Sequence, residues 1–225
     1  MTATPMHIRL RILAIITLFL GSLSGQAQDS AWKCVKNSDS VLVYARKSDS
    51  ANYRIVKATT QLKTSLSSLV SLLADAANHK NWVYLNKKAV ILKKENPFSW
   101  IIYSQTDAPW PVTDRDIVSK TWMKQNPATK EVTIHAEADP DYLPEKPDHV
   151  RIPFARAEWH FIPQGNGWVK AVFTIEVDVG GNVPQWLVNL TAARGPFQTM
   201  RNLRKMVKKN KYKTSRLPYI KEPQN

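Results

Sequence analysis

The run from Asp178 to Lys209, DVGGNVPQWLVNLTAARGPFQTMRNLRKMVKK, sets the tightest limit on what this chain can fold into. Gly180 and Gly181 end a strand-like stretch. Pro184 suits the first turn of a helix, where its missing N–H costs nothing and its fixed φ is already helical. Trp186, Leu187, Leu190, Ala193, Phe197, Met200, Leu203, Met206 and Val207 recur at helical spacing and make one apolar stripe. Gly195-Pro196 interrupts the stripe and is expected to kink the helix or split it in two. An apolar stripe this long must lie against a broad surface, and the rest of the chain has to supply it.

The preceding residues read mostly as strands. Trp32–Lys36 and Val41–Arg46 flank a turn at Asn37-Ser-Asp-Ser40, and Tyr53–Leu62 forms a third strand. Thr64 or Ser65 caps a helix whose Leu66, Leu69, Val70, Leu73 and Ala77 share a face. Residues 78–82 are a short connector. Ala89–Lys93 and Ser99–Thr106 surround an Asn96-Pro97 turn, and Asp107–Asp114 (DAPWPVTD) is a loop whose prolines forbid a regular ladder. Ile117–Lys124 and Val132–Ala138 alternate well, and residues 139–148 hold three prolines and are loop. Val150–Ile162 and Trp168–Val179 read as the two longest strands, joined by a Gln164-Gly-Asn-Gly167 hairpin. Strands joined by short turns pair antiparallel, and a sheet of eight or nine such strands curls. The expected fold class is therefore α+β, a curved antiparallel sheet with the C-terminal helix covering its apolar face.

The chain has 225 residues, 43% of them hydrophobic and 22% charged, which excludes a disordered polymer. Residues 1–27 are expected to be a signal peptide: a basic start at Arg9 and Arg11, the apolar run Ile12–Leu20, then a small, polar cleavage region ending at Ala27. The apolar run is shorter than the ~20 residues of a comfortable transmembrane helix. This predicts an exported protein, periplasmic or secreted, with a domain over residues 28–211 and a basic tail over residues 212–225. Cys34 is the only cysteine, so no internal disulfide forms, and it is expected to be a buried apolar residue. The formal charge is +14; removing Arg9 and Arg11 leaves 30 basic against 18 acidic residues, or +12. That excess favours an anionic partner, and export makes a phospholipid surface the better choice than nucleic acid.

Short motifs then fall in a telling order. They are Val43-Tyr-Ala-Arg46, Asp75 at the end of the first helix with Trp82 beyond, and Pro111 before Asp114-Arg-Asp-Ile-Val118. Arg151 opens a strand, Trp159 precedes Pro163, and Asp178-Val-Gly-Gly181 runs into Val183-Pro-Gln-Trp-Leu-Val-Asn189. From about Trp32 to Val207 the chain resembles a START domain, the lipid-transfer module related to the steroidogenic acute regulatory protein. The resemblance implies a helix-grip fold: the sheet wraps the C-terminal helix and encloses a tunnel for one hydrophobic lipid, carried between membranes. It implies a tunnel lined from Ile102, Trp110, Arg115, Thr121, Trp159, Phe173, Leu187, Leu190, Thr191 and Phe197. Some sterol-binding members hold a buried acid–arginine pair in the tunnel. The matching positions here are Ile102 and Thr121, neither charged, which implies a more apolar tunnel or polar contacts from elsewhere, such as Thr174 or Thr191.

Trp110, held between Pro109 and Pro111, is either an interfacial anchor beside the tunnel mouth or a ring folded back onto the core. Arg201, Arg204, Lys205, Lys208 and Lys209, with Arg194, Lys211, Lys213 and Arg216, form either a membrane-contact face or a solvated helix face with a loose tail. The resemblance implies that Arg115 is structural and pairs with a carboxylate near the sheet edge. His135, Glu137 and Asp139 share a strand face, read as an outer face in water rather than a metal site. Glu158, Glu176 and His160 are the groups an alternative reading would use, in which the same cup hosts cyclisation or hydrolysis. No nucleotide, hydrolase or zinc motif occurs, so catalysis, a cofactor and a metal are not expected. The expected protein is a monomer whose partners are a hydrophobic lipid and, transiently, an anionic membrane; a non-transferring lipid sensor is a further alternative.

Overall fold

The computed structural model describes residues 32–48 and 54–224; the side chains of residues 185–187 and 189–191 lie outside that description. In chain order the strands are β1 (Lys33–Ser38), β2 (Val41–Lys47), β3 (Arg54–Lys63), β4 (Asn86–Asn96), β5 (Ser99–Thr106), β6 (Arg115–Gln125), β7 (Val132–Ala138), β8 (Val150–Arg151), β9 (Phe154–Pro163) and β10 (Trp168–Asp178). The helices are α1 (Leu66–Ala74), a 3-10 segment (Ala76–Asn81), α2 (Gln185–Met206) and α3 (Asn210–Lys213). The strands form one curved sheet in the order β1-β2-β3-β10-β9-β7-β6-β5-β4, antiparallel throughout except that β8 pairs parallel with β6.

Side-chain alternation decides which face α2 covers. Val41, Val43, Ala58, Val132, Ile134, Trp159, Phe161, Val169, Ala171 and Phe173 form one core with Phe197, Met200 and Leu203 of α2. The concave face of the sheet thus receives the apolar stripe read from the sequence. Ser65 caps α1 by accepting from the Ser68 N–H. Pro184 stands at the N-cap of α2, one residue outside the expected first turn.

Registers sort the connections to two ends. The β1–β2, β4–β5, β6–β7 and β9–β10 turns gather at one, the hairpin end; the β5–β6 loop, the β7–β8 loop and the entry to α2 gather at the other, the loop end. Helix α2 starts at the loop end and finishes at the hairpin end, where Arg201 pairs with Asp39 of the β1–β2 turn at 3.2 Å.

Several expectations change. The stretch Val150–Ile162 is two strands, because Pro153 has no N–H to give the ladder and Arg151 turns inward to Asp116. Of the two outcomes expected at Gly195-Pro196 the split does not occur: helix α2 runs through Pro196 as one element, its downstream turns held by Phe197, Met200 and Leu203 in the core. Cys34 is exposed: β1 is an edge strand paired on one side only, and all six of its residues are exposed.

The tail is not loose. Tyr212 and Ile220 are buried in the main core. Glu222 caps α1 from far along the chain, accepting from the Leu66 and Ser67 N–H groups at 2.9 and 2.8 Å. Gln125 and the Lys221 backbone exchange two hydrogen bonds, and the Tyr219 ring meets Phe98 edge-on. Residues 212–224 therefore strap the hairpin end shut and belong to the packed domain.

Candidate functional site

The concave face is filled unevenly. Toward the hairpin end its residues are fully buried: Val41, Val43, Val132, Phe161, Val169. Toward the loop end Ser104, Ile117, Ser119, Ala136, Ala157, Ile175 and Val177 point to the same face, yet each stays only half-buried, while α2 packs chiefly over β1, β2, β3 and β10. Apolar side chains on the inner face of a curved sheet keep accessible surface where packing leaves a space beside them. The floor of that space is aromatic: Trp159 and Phe173 stack at 4.2 Å, Trp82 lies 6.0 Å from Trp159, and Trp159 and Phe173 keep 9% exposure where Phe161 beneath them has none.

The wall formed by β5, β6, β7, β9 and β10 carries no charged side chain on its described inner face except Arg115 at the mouth, and its polar groups below the mouth are the hydroxyls of Ser104, Ser119 and Thr121; the charges on that face, Lys33, Lys36, Lys47 and Arg54, stand apart on β1–β3. Ile102 and Thr121 sit on that face of neighbouring strands, Ile102 opposite Ser119 and Thr121 opposite Trp100. Thr174 does not contribute, because it faces out beside Arg46 and Glu176. Ser104 and Ser119 were missed by sequence reasoning; their signal was alternation with Tyr103 and Val118, legible once the buried face of each strand is known. Phe197 lies in the core with the Lys36 ammonium 4.3 Å from its ring centroid. Leu187, Leu190 and Thr191 lie outside the described residues.

The β5–β6 loop projects at the loop end with Trp110 at its tip, 92% exposed, so the ring is not folded onto the core. The loop base is clasped. Asp114 accepts from the Ala108 N–H at 3.0 Å and from Lys87 at 3.1 Å, and these bonds hold its carboxyl below the usual range. Asp107 donates its N–H to the Leu85 carbonyl at 2.8 Å.

Arg115 does not pair with a carboxylate as expected. Its guanidinium donates to the carbonyls of Thr113, Val179 and Gly180, the last at 3.2 Å, so it ties the loop base to the entry of α2. It sits at the mouth rather than on the cavity wall, because the backbone turn opposite offers more acceptors than any side chain in reach. Gly180 and Gly181 both adopt φ +63°, and a Cβ on Gly180 would come within 3.0 Å of Pro153 Cδ. The carboxylate bridge belongs to the next pair instead. Arg151 donates to Asp116 at 2.7 and 3.1 Å with both side chains almost wholly buried, and also to the carbonyls of Pro140, Leu143 and Pro144. Burial alone would raise the Asp116 carboxyl; the Arg151 and Tyr103 bonds outweigh it and hold it low. This pair organises the proline-rich β7–β8 loop.

The basic residues do not form one free face. Arg201 pairs with Asp39, and Arg204 donates to Thr60 Oγ1 and the Gln61 carbonyl, so both fasten α2 to the sheet. Lys205, Lys208 and Lys209 are exposed. They stand at the hairpin end, with the 22 residues of α2 between them and the loop end, ~33 Å at ~1.5 Å per residue.

On the convex face His135 meets Glu158 at 3.4 Å, Glu137 meets Arg156 at 3.4 Å, and Asp139 meets Lys120 at 2.8 Å. His160 pairs with Glu131, and Glu176 accepts from Ser48. Glu158, Glu176 and His160 therefore point away from the cavity, on the far side of the sheet from any molecule held there.

A Pseudomonas aeruginosa protein of uncharacterised role is 30% identical over 197 residues, covering 88% of this chain and 96% of that one. The crystal structure of a STAR-related lipid transfer protein fragment from Xanthomonas axonopodis superposes with a TM-score of 0.74 at 29% identity, covering 79% of this chain and 99% of that one. Human StAR-related lipid transfer protein 5 shares the fold, with a TM-score of 0.69 at 17% identity over 90% of this chain and 95% of that one. The START domain family model matches residues 22–213, in keeping with the helix-gripping sheet, and the chain belongs to the START domain family.

Proposed function

We propose that this protein holds one hydrophobic lipid in the space between α2 and the loop-end half of the sheet, and exchanges it with membranes through the Trp110 end. The observation that carries this reading is the uneven filling of the concave face, packed solid at one end and left accessible at the other, where the inner faces of β5, β7, β9 and β10 carry no charge. The name of the Xanthomonas neighbour, a lipid transfer protein, supports it.

Mechanically, Trp110 enters the headgroup region, which suits an indole's apolar body and polar N–H. The loop over 107–114 and the entry to α2 then part, and the lipid slides into the space. Apolar burial of ~0.8 kcal/mol per CH₂ compensates for leaving the bilayer. The ligand matched to this wall is an acyl-chain lipid whose ester or hydroxyl groups meet Ser104, Ser119 or Thr121, rather than one needing a charged partner. No covalent step is involved, and no carboxylate or histidine stands on the described inner face of β5, β6, β7, β9 and β10 to offer acid–base chemistry. The leader pattern supports export to the periplasm or beyond, with the protein acting there as a monomer on lipid rather than nucleic acid.

The test is native mass spectrometry of the purified protein, then organic extraction and lipid identification, with fluorescent-lipid transfer between liposomes alongside. A stoichiometric adduct of an acyl lipid, together with transfer, is the expected result. A clean unliganded mass after incubation with mixed liposomes would overturn the reading, and a bound lipid that never moves between vesicles would make the protein a sensor.

A further inference from the structure

The lysines at the hairpin end stand out because the lipid reading has no use for them there. Lys205, Lys208 and Lys209 follow i, i+3, i+4 spacing and share one side of the chain, while Leu203, Met206 and Val207 bury the other. Lys213 at the end of α3 and Arg216 beyond it extend the patch. None of Lys205, Lys208, Lys209 and Lys213 has an ion-pair partner among the described residues; Lys211 alone is neutralised, by Asp75 at 2.5 Å. The strap beneath is rigid. Tyr212 is buried and donates to Asp75, and its carbonyl accepts from Ser68 at 2.7 Å. A fixed array of unpaired ammonium groups on a well-packed base attracts a surface of spread negative charge.

From this we infer that the hairpin end is a second docking surface, specific for an anionic phospholipid bilayer, so that the molecule can hold two membranes at once. This rests on the reading that the lipid enters at the loop end. If Trp110 marks the mouth, the lysines ~33 Å away along α2 cannot serve the same flat membrane with the helix end-on. A bilayer fits them better than nucleic acid does: Tyr212, the one aromatic ring among residues 205–213, is buried and offers no platform for a base to stack on. Lysine point charges also suit a fluid lattice of headgroups, which needs no planar, paired recognition.

The experiment uses protein expressed from the complete chain and vesicles of phosphatidylethanolamine with phosphatidylglycerol. Vesicle clustering is read by light scattering, binding by cosedimentation, and lipid loading by native mass spectrometry. Wild type is expected to cluster these vesicles at low salt and release them at high salt. The variant K205E/K208E/K209E changes the charge by six and should lose clustering and fall by more than ~100-fold in vesicle partitioning, at ~1 kcal/mol per charge near the surface, while keeping its bound lipid. K205Q/K208Q/K209Q serves as a milder second variant, with circular dichroism confirming the fold of each. Clustering by the charge-reversed protein equal to wild type would overturn the inference. So would wild-type binding without clustering, or tighter binding to duplex DNA than to vesicles at matched salt. Absence of bound lipid with clustering intact would instead count against the cavity reading alone.

Discussion

The two ends of this molecule are built on opposite terms. At the hairpin end every device closes the structure: Tyr212 and Ile220 enter the core, Glu222 caps α1, Gln125 clasps the tail backbone, and Arg201 and Arg204 pin α2 to the β1–β2 turn and to β3. At the loop end the frame is equally firm, with Asp116–Arg151 below and Asp114 and Arg115 clasping the loop base. Yet what it frames is an accessible lining and a Trp110 ring left in solvent. The contrast teaches that an opening in a small domain is not simply a weak region. It is a place where well-bonded backbone surrounds side chains that do not fill the space.

That contrast can be broken at either end. The largest effect is expected from Arg151→Ala, which leaves the Asp116 carboxylate buried without its partner and unties three carbonyls of the β7–β8 loop. Urea unfolding should show a loss of ~3–5 kcal/mol. Ile220→Ala at the sealed end should cost ~2–4 kcal/mol while lipid exchange per folded molecule stays at the wild-type rate; a large change in exchange there would mean that the ends are not independent.

Acid gives a graded test. The Asp116 carboxyl is held low in the folded protein, so its contribution is complete above the unfolded carboxylate value of ~3.9 and is lost as pH falls through the folded value. Urea midpoints should hold from neutrality to about pH 4 and decline below it on this account. In Arg151→Ala that decline should shrink or reverse, because the neutral acid is then the better buried form.

Glu222→Ala removes the acceptor for two N–H groups of α1 and should cost ~1 kcal/mol, visible as a few degrees in thermal unfolding. Trp110→Ala should change stability by less than ~0.5 kcal/mol, since the ring touches solvent, yet slow liposome-to-liposome transfer several-fold. Unchanged transfer in that variant would remove Trp110 from the mechanism.

Much of the fold was legible in local pattern. The apolar stripe from Phe197 to Val207, the Ser65 cap, the proline-bound loop over 107–114 and the Gly165-Asn-Gly167 hairpin each follow from backbone chemistry within a few residues. The sheet's alternation was readable too, and so was the absence of charge at Ile102 and Thr121. What failed was whatever depended on a partner far away in sequence. Cys34 looked like a core residue because its neighbours alternate, but only pairing order shows that β1 is an edge strand. Arg115 and Arg151 look alike in sequence, and which of them meets Asp116 is set by the parallel pairing of β8 with β6.

The amino-acid sequence by itself determined that a curved antiparallel sheet would be closed by one long helix, because period-two and period-3.6 patterns are local and each strand or helix carries its own. Only the tertiary structure decided where along that helix the interior would be filled. It separated Trp110 from the lysines of residues 205–209, put Glu158 and Glu176 outside the cup, and turned a basic tail into a strap. Those outcomes depend on strand register, and a single residue of register moves a side chain from one face of the sheet to the other.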